Sequence, residues 1–475
     1  MADTLRRTLG LRDLILIVIG SVIGSGIFIV PGAVLRQTGG QIGIALVVWL
    51  IAGVLSLLGA LTYGELGAAN PKAGGLYIYM RDAFGPLPAF LFGWTLFFVI
   101  GSGSIATLAV AFSGYLNALV PMPTAMMPVV AVLMIATVTA INVRGARHGA
   151  NVQNWTTVAK AGAIVVMSVM LITAGDGLTR GGEALWPESF DLGLLSAVGL
   201  AMIGVLWAYE GWQFVTFSAG EALDPQRTFP RGIVVGTAAL IVIYLLANIG
   251  YIAALGPAGV AATDSVAADA VGAVLGPIAG KLIAATILVS MFSAANSVTL
   301  TAPRVFYAMA RDGLFFRRLA AVHPRFGTPA FAILASAAWA MLLAATGTFE
   351  QLLTYVVFAG WIFYALGALS IFVYRRRYPE MHRPFRVPGY PLTPALFVLA
   401  AAAIVINTLF VQPREAFLGL GIVLLGTPAF FLWRTRGRTS GNVPPRDSDR
   451  GEQDAREHDL ADRTPAAERA DLPER

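Results

Sequence analysis

The sequence contains no cysteine, few charged residues and only four histidines. Without cysteine the chain has no disulfide, no thiolate metal site and no cysteine nucleophile. The histidines are scattered outside the apolar runs, which argues against a histidine metal centre, and no cofactor motif is present. Charged residues make up 13% of the chain, about half of the roughly 25% that is usual in soluble proteins. The chain is therefore not expected to be a soluble domain.

The chain is instead rich in long apolar runs. Apolar residues make up 57% of the chain and the mean hydropathy is +0.72. Runs of about 20 residues, the length that crosses a bilayer as a helix, recur about twelve times. They lie near 13–36, 43–67, 88–117, 123–142, 152–174, 193–219, 231–255, 278–302, 329–346, 351–374, 391–411 and 415–434. The first run is too long for a cleavable signal peptide. The sequence predicts an all-α, multi-pass integral membrane protein.

Positive charge is unevenly distributed between the loops. Arginines are frequent at the N-terminus (residues 1–12) and in every second loop, for example Arg375, Arg376 and Arg377, and are sparse in the others. Because cytoplasmic loops carry the excess of Lys and Arg, both termini are predicted to be cytoplasmic. The basic net charge of +6 thus reflects topology, and no nucleic-acid partner is expected. Residues 436–475 are charged and poor in large apolar side chains, so a disordered tail is predicted.

The first apolar run is interrupted in its middle by Gly24, Ser25 and Gly26. Glycine is about 1 kcal/mol less favourable than alanine in a helix interior. In hydrocarbon, a broken helix is tolerated only where it is buried in protein or lines a wet cavity. The half-helix after the break points free N–H groups and its positive dipole end at the membrane centre, an arrangement that binds a carboxylate.

A second interruption lies five runs later, at Glu210 and Gly211 in the sixth run. Corresponding interruptions in two halves of a chain indicate an inverted repeat with a binding site between the halves. The alternative is that these glycines only allow close helix packing, and Gly20 and Gly24 do have the small-xxx-small spacing. The pairing of two breaks, one of them carrying a carboxylate, favours the binding site.

Two charged residues inside apolar runs are candidate functional groups, since a charge at a helix centre costs about 2.5–3.5 kcal/mol on insertion scales. Glu210 is expected to contact a cation: a substrate ammonium, a basic side chain or a proton. Alternatively it is neutral or bonded to the amides of the break. Lys160 could extend to the cytoplasmic interface or reach the first break and replace a coupling cation. Glu65, Glu221 and Arg304 lie near run ends, where gate or structural ion pairs are expected.

Several motifs resemble the amino acid–polyamine–organocation (APC) superfamily, in particular its L-type amino acid transporter branch and bacterial relatives. The motifs are Gly24-Ser25-Gly26-Ile27-Phe28, the run 59–66 followed by Pro71-Lys72-Ala73-Gly74-Gly75, Ala208-Tyr209-Glu210-Gly211-Trp212, and 293–297 with Pro303-Arg304. The resemblance covers about residues 10–435. It implies a leucine-transporter-like fold with two inverted five-helix repeats, 13–174 and 175–374, and two additional helices in 375–435.

The resemblance also implies roles for individual residues. Amides of Ser25, Gly26 and Ile27 would bind the substrate carboxylate, and carbonyls of Val22, Trp207, Ala208 and Glu210 would bind its ammonium. Trp207 would cover the site, Lys160 would contact the first break, and Trp361 would line the side-chain pocket. Glu210 departs from relatives in which a small residue is common, which puts a purely large-neutral specificity in doubt.

The expected function is secondary-active transport of amino acids across the inner or plasma membrane by alternating access. Sodium-independent exchange of neutral amino acids, with some acceptance of basic ones, is the first hypothesis. The alternative is a proton-coupled symporter or an exchanger of basic amino acids or polyamines, and a non-transporting sensor is the third. An intramembrane enzyme is not expected, because no histidine lies in an apolar run to activate Ser21 or Ser25. Without cysteine, no disulfide-linked partner subunit is implied.

Overall fold

The computed structural model describes residues 5, 7–177, 185–187, 189, 191–347 and 349–439. Twelve helical segments follow one another in this part of the chain, and they are numbered here in chain order. Their bounds are Leu11–Val22 with Gly26–Gln37 (segment 1), Ile42–Ala69 (2), Pro86–Thr95 continuing through Leu96–Ile100 and Gly101–Leu119 (3), Met127–Val143 (4), Ala146–Ala174 (5), Leu192–Ala208 with Trp212–Glu221 (6), Pro225–Ala261 (7), Pro277–Thr301 with Pro303–Arg311 (8), Ala330–Thr346 (9), Phe349–Arg377 (10), Leu392–Val411 (11) and Pro413–Thr439 (12).

Two short α-helices lie between segments, Leu76–Phe84 after segment 2 and Val266–Leu275 after segment 7. Single turns of 3₁₀ helix at Thr124–Met126 and Arg317–Ala320 complete the connections. No strand ladder occurs in the described residues beyond one isolated bridge between Leu9 and Ala222. The predicted all-α class is therefore confirmed.

The helices have the length and the surface of membrane-spanning elements. Ten are long and apolar enough to cross a bilayer, and the bent segment 1 makes an eleventh. Segment 9, with 17 residues, is about 26 Å long at 1.5 Å per residue, slightly short of the hydrocarbon core of about 30 Å. Large apolar side chains are exposed on the periphery, among them Leu133, Phe410 and Leu425. Apolar surface of this extent is expected to face lipid.

Segments 1 and 6 are both interrupted at the centre of the molecule. Segment 1 is non-helical at Ile23–Ser25, called here the first break, where its two halves meet at an angle of 45°. Segment 6 ends its α-helix at Ala208, turns at Tyr209–Gly211, called here the second break, and continues as a ten-residue 3₁₀ helix. Segment 1 packs against segments 5, 6, 7 and 8. Both interruptions thus lie inside protein, as the sequence predicts.

Other features of the sequence reading stay predictions. The count of twelve spans rests on segment 9 crossing the membrane, and the division into 13–174, 175–374 and 375–435 as inverted repeats and additional helices is not tested by the helix bounds. Segment 12 continues to Thr439, three residues past the predicted start of the tail. The remainder of that tail, 440–475, lies outside the described residues.

Candidate functional site

The two breaks touch each other across two glycines. A Cβ atom built on Gly26 would lie 2.5 Å from the Cα atom of Ala208, and one on Gly211 would lie 2.8 Å from the carbonyl oxygen of Ser21. Gly211 also has φ +121°, a conformation that side chains rarely adopt. In addition, the Ser21 hydroxyl lies 3.0 Å from the carbonyl oxygen of Gly211. Glycine at these positions is what lets the interrupted helices cross in contact.

A partly polar cavity lies at this crossing. Segments 1, 3, 6 and 8 contribute its walls. The lining residues are Ser21, Val22, Gly24, Ser25, Gly26, Ser104, Leu108, Trp207, Glu210, Phe214 and Val298.

Unpaired polar groups face this space. Among the described residues, nothing accepts a hydrogen bond from the backbone N–H groups of Ser25, Gly26 or Ile27, which begin the second half of segment 1. The hydroxyls of Ser25 and Ser104 are buried and likewise have no partner in the described part of the chain. Buried donors without partners are rare in proteins and each needs an explanation. A bound anionic group such as a carboxylate would satisfy the helix-terminal donors.

Carbonyl oxygens of both breaks meet at one tyrosine of segment 7. The Tyr244 hydroxyl donates to the carbonyl of Ala208 at 2.9 Å and lies 3.1 Å from the carbonyl oxygen of Val22. Tyr244 is fully buried. Sequence reasoning missed this residue, because a tyrosine in an apolar run carries no signal of which way its hydroxyl points.

Lys160 reaches the first break. Its ammonium donates to the carbonyls of Gly20 (2.8 Å), Ile23 (2.5 Å) and Ser290 (3.3 Å), and its side chain is fully buried. An ammonium has three donors and no acceptor, so three carbonyl oxygens satisfy it completely. Of the two positions that the sequence allows for Lys160, the structure therefore has the one at the break and not the one at the membrane interface.

Ser290 on segment 8 completes this contact. Its hydroxyl lies 3.0 Å from the carbonyl oxygen of Ile23 and 3.2 Å from that of Gly24. The lysine and the serine together bind the carbonyl groups of Gly20, Ile23 and Gly24, which the interruption of segment 1 leaves without helical partners.

The second break carries Glu210 into the cavity. Its Oε1 atom accepts hydrogen bonds from the side chains of Gln213 (2.6 Å) and Tyr364. Only 8% of the residue is exposed. A buried carboxylate needs donors to offset its desolvation, and two side chains provide them.

The predicted site residues are only partly brought together. Val22, Ser25, Gly26, Trp207 and Glu210 line the cavity. Ile27 and Ala208 are buried directly behind it, where backbone groups rather than side chains could take part. Their predicted roles in binding a substrate stay predictions.

Trp361 is not among the residues that line this cavity, and its predicted place in the side-chain pocket stays a prediction. It is buried against Phe397 and Tyr364, at ring-centre distances of 5.7 and 6.2 Å. Tyr364 of the same helix, rather than Trp361, is turned toward the second break. The sequence of segment 10 is apolar on all sides, so it does not indicate which face meets the cavity.

Two buried carboxylates, Glu221 and Glu65, are held in ion pairs. Glu221 at the end of segment 6 pairs with Arg304 of segment 8 at 2.6 Å, and both are almost fully buried. Glu65 pairs with Arg375 at 2.6 Å and with Arg383 at 3.6 Å. These residues bind each other and not the cavity, as predicted.

Helix interruptions that meet at a polar cavity inside a bundle of membrane-length helices define a class of protein, the membrane transporters with discontinuous helices. Comparison with known proteins narrows this class. A sequence model of the family described as "Amino acid permease" matches residues 9–427. The chain belongs to this family, which is part of the APC superfamily.

Individual relatives are similar over most of their length. The b(0,+)-type amino acid transporter 1 of Mus musculus is 32% identical over 90% of this chain and 88% of its own. The large neutral amino acids transporter small subunit 2 of Rattus norvegicus is 32% identical over 90% of this chain and 81% of its own. The serine/threonine exchanger SteT of Bacillus subtilis (strain 168) is 31% identical over 91% of this chain and 98% of its own. The prediction of an amino acid transporter, rather than an enzyme, is confirmed.

Proposed function

We propose that the protein exchanges neutral amino acids across the membrane, independently of sodium, by alternating access. The observation that carries this proposal is the cavity at the crossing of the two breaks, where unpaired backbone N–H groups and break carbonyls lie together. A zwitterion needs one group of donors for its carboxylate and one group of acceptors for its ammonium. Two interrupted helices supply both without a formal charge.

Each charged end of the substrate has a candidate partner. The N–H groups of Ser25, Gly26 and Ile27 bind the carboxylate, at the start of a half-helix whose dipole favours an anion. The carbonyls of Val22, Trp207, Ala208 and Glu210, in or next to the breaks, bind the ammonium. The Trp207 side chain covers the bound molecule.

The remaining lining suits a small or medium neutral side chain. The Ser104 hydroxyl offers a hydrogen bond, while Leu108, Phe214 and Val298 are apolar. One of the relatives is named as a serine/threonine exchanger and another as a transporter of large neutral amino acids. The carboxylate of Glu210 adds an attraction for a cationic side chain, so basic amino acids are accepted as a minority.

Lys160 supports sodium independence and exchange. Its ammonium occupies the carbonyl groups at the first break, where a coupling cation would otherwise find oxygen ligands. A permanently tethered cation cannot be taken up and released with each substrate. The return of the carrier then depends on substrate bound from the other side. One relative is named as an exchanger, which favours exchange over the proton-coupled alternative.

The setting in the cell is part of the proposal. Both termini lie in the cytoplasm, since Lys and Arg are concentrated on that side, and the membrane is the inner or plasma membrane. A partner subunit, if one exists, is not joined by a disulfide, because none of the 475 residues is a cysteine.

The experiment is uptake of labelled alanine, leucine and arginine into proteoliposomes that are empty or loaded with the same unlabelled amino acid. We expect uptake into loaded vesicles only, fastest for the neutral amino acids and unchanged when choline replaces sodium. Uptake into empty vesicles under an inward proton gradient would instead make the protein a symporter. Saturable binding without any uptake would make it a sensor.

A further inference from the structure

The carboxylate of Glu210 is held asymmetrically. Both of its hydrogen bonds, from the Gln213 amide and the Tyr364 hydroxyl, go to Oε1. Nothing in the described part of the chain donates to Oε2, although Glu210 lines the cavity. Neither Gln213 nor Tyr364 lines the cavity itself. One oxygen is therefore bound from behind and the other is left for whatever occupies the cavity.

The two donors are themselves held in place. The Gln213 side-chain oxygen accepts a hydrogen bond from the N–H of Gly211 at 3.2 Å, which ties it to the second break. The Tyr364 backbone carbonyl accepts a hydrogen bond from Tyr63 of segment 2 at 2.7 Å. All of these side chains are fully buried. Close packing of this kind leaves few other rotamers.

Gly360, one turn before Tyr364 on segment 10, leaves space for the Tyr364 ring. A Cβ atom at Gly360 would lie 2.9 Å from the ring, so the ring lies directly against the backbone of its own helix. The hydroxyl is thereby directed at segment 6. The orientation of Tyr364 is a consequence of packing and does not depend on Glu210 alone.

We propose that Gln213 and Tyr364 are positioning residues that hold Glu210 with Oε2 toward the cavity, and that this arrangement selects substrates with a cationic side chain. The inference rests on the proposed function and names a substrate class for the same site: basic amino acids beside neutral ones. Without the Tyr364 hydroxyl the carboxylate can rotate, and Oε2 no longer has a defined place. A substrate with a neutral side chain makes no contact with Oε2 and does not depend on it.

The test compares arginine with alanine in exchange assays on four variants. Tyr364→Phe removes one donor, Gln213→Met removes the other, Glu210→Gln removes the charge, and Glu210→Gln/Tyr364→Phe combines two of these changes. Tyr251→Phe is the matched control, because the Tyr251 hydroxyl is buried without a hydrogen-bond partner in the described residues. The readout is the ratio of the apparent KM for arginine to that for alanine.

We expect the ratio to rise about 5- to 10-fold in Tyr364→Phe, the size of effect that one ordinary hydrogen bond has, with kcat for arginine little changed. Gln213→Met shifts the ratio in the same direction, and Tyr251→Phe leaves it at the wild-type value. The double variant should match Glu210→Gln, since residues that act through one group are not additive.

Three outcomes would overturn the inference. Equal losses for arginine and alanine would show that Tyr364 is only structural, and additive effects would show that it does not act through Glu210. Wild-type protein that exchanges alanine but neither carries nor is inhibited by arginine would remove the substrate class while leaving the proposed exchange of neutral amino acids intact. Wild-type protein that exchanges neither amino acid would instead remove the proposed function.

Discussion

Lys160 is the residue whose environment bears most directly on the energetics of transport. Its ammonium is fully buried and bonded to three carbonyl oxygens from segments 1 and 8. Burying an unpaired charge is expensive, and burying one with all its donors satisfied is much less so. The carbonyl groups of the first break therefore stabilise the buried ammonium, and the ammonium in turn stabilises the break.

Lys160→Ala removes this cation and leaves carbonyl groups at the first break without a donor. Each buried group left unsatisfied costs about 1–3 kcal/mol, so the break should lose its defined geometry. We expect exchange to slow at least tenfold, measured as initial uptake into loaded proteoliposomes. Lys281→Ala, the same change at an exposed lysine of segment 8, should have no effect. Equal rates in the two variants, or a sodium requirement in the wild type, would contradict the role given to Lys160.

At the scale of elements, the end of segment 6 is held from two directions. The backbone N–H groups of Thr8 and Leu9 donate to the carbonyl of Glu221 at 2.8 and 3.0 Å, and the N–H of Leu223 donates to the carbonyl of Leu9 at 2.8 Å. On the other side, the Glu221 side chain pairs with Arg304 of segment 8. These contacts tie the end of segment 6 to the N-terminal residues and to segment 8.

Arg304→Ala tests the ion pair between segments 6 and 8. It leaves the Glu221 carboxylate buried without its partner, a change that typically costs about 3–5 kcal/mol. The temperature of thermal unfolding in detergent should therefore fall markedly. The double variant Glu221→Leu/Arg304→Met replaces the pair with apolar groups and should recover most of the loss. Arg36→Ala breaks an exposed pair with Asp264 and should change stability by less than about 1 kcal/mol. An Arg304→Ala variant as stable as Arg36→Ala would mean that the pair does not hold segments 6 and 8 together.

The helices were largely predictable from sequence, because a long apolar run that crosses the hydrocarbon of a bilayer forms a helix. Each of the twelve runs corresponds to a helical segment, and both interruptions lie where glycine and charge appear in those runs. The ten-residue 3₁₀ helix of segment 6 could not be predicted, because its residues are ordinary for an α-helix. It packs closely against the loop at Ala73, whose N atom lies 2.6 Å from a Cβ built on Gly220.

Prediction of the site was limited because the sequence does not show which way a side chain in an apolar helix points. Gly26 and Glu210 stand out in sequence because each is unfavourable in a membrane helix without a function. Ser104, Leu108 and Val298 line the cavity, yet they are unremarkable in apolar helices and gave no signal. The predicted place of Trp361 in the side-chain pocket stays a prediction for a related reason: helices that are apolar on every face do not show which face is turned inward.

At the scale of the whole molecule, orientation in the membrane is open to a simple test, because the chain has no cysteine of its own. Asp264, between segments 7 and 8, is 81% exposed, and Arg317, between segments 8 and 9, is also exposed. With both termini in the cytoplasm, Asp264→Cys should react with a membrane-impermeant maleimide on intact cells, and Arg317→Cys only after permeabilisation. The opposite pattern would invert the proposed topology.

The central claim is that backbone N–H groups at the first break bind the carboxylate of the substrate, and Ser25 allows the most direct test. Ser25 has φ −87°, close to the value that proline adopts, so Ser25→Pro removes the N–H with little change of the backbone. Ser25→Ala removes only the hydroxyl. We would measure equilibrium binding of labelled alanine to the purified variants. The account predicts binding within a few-fold of wild type for Ser25→Ala and a loss of at least tenfold for Ser25→Pro, as expected for one hydrogen bond to a charged group. Equal affinities in the two variants would contradict it.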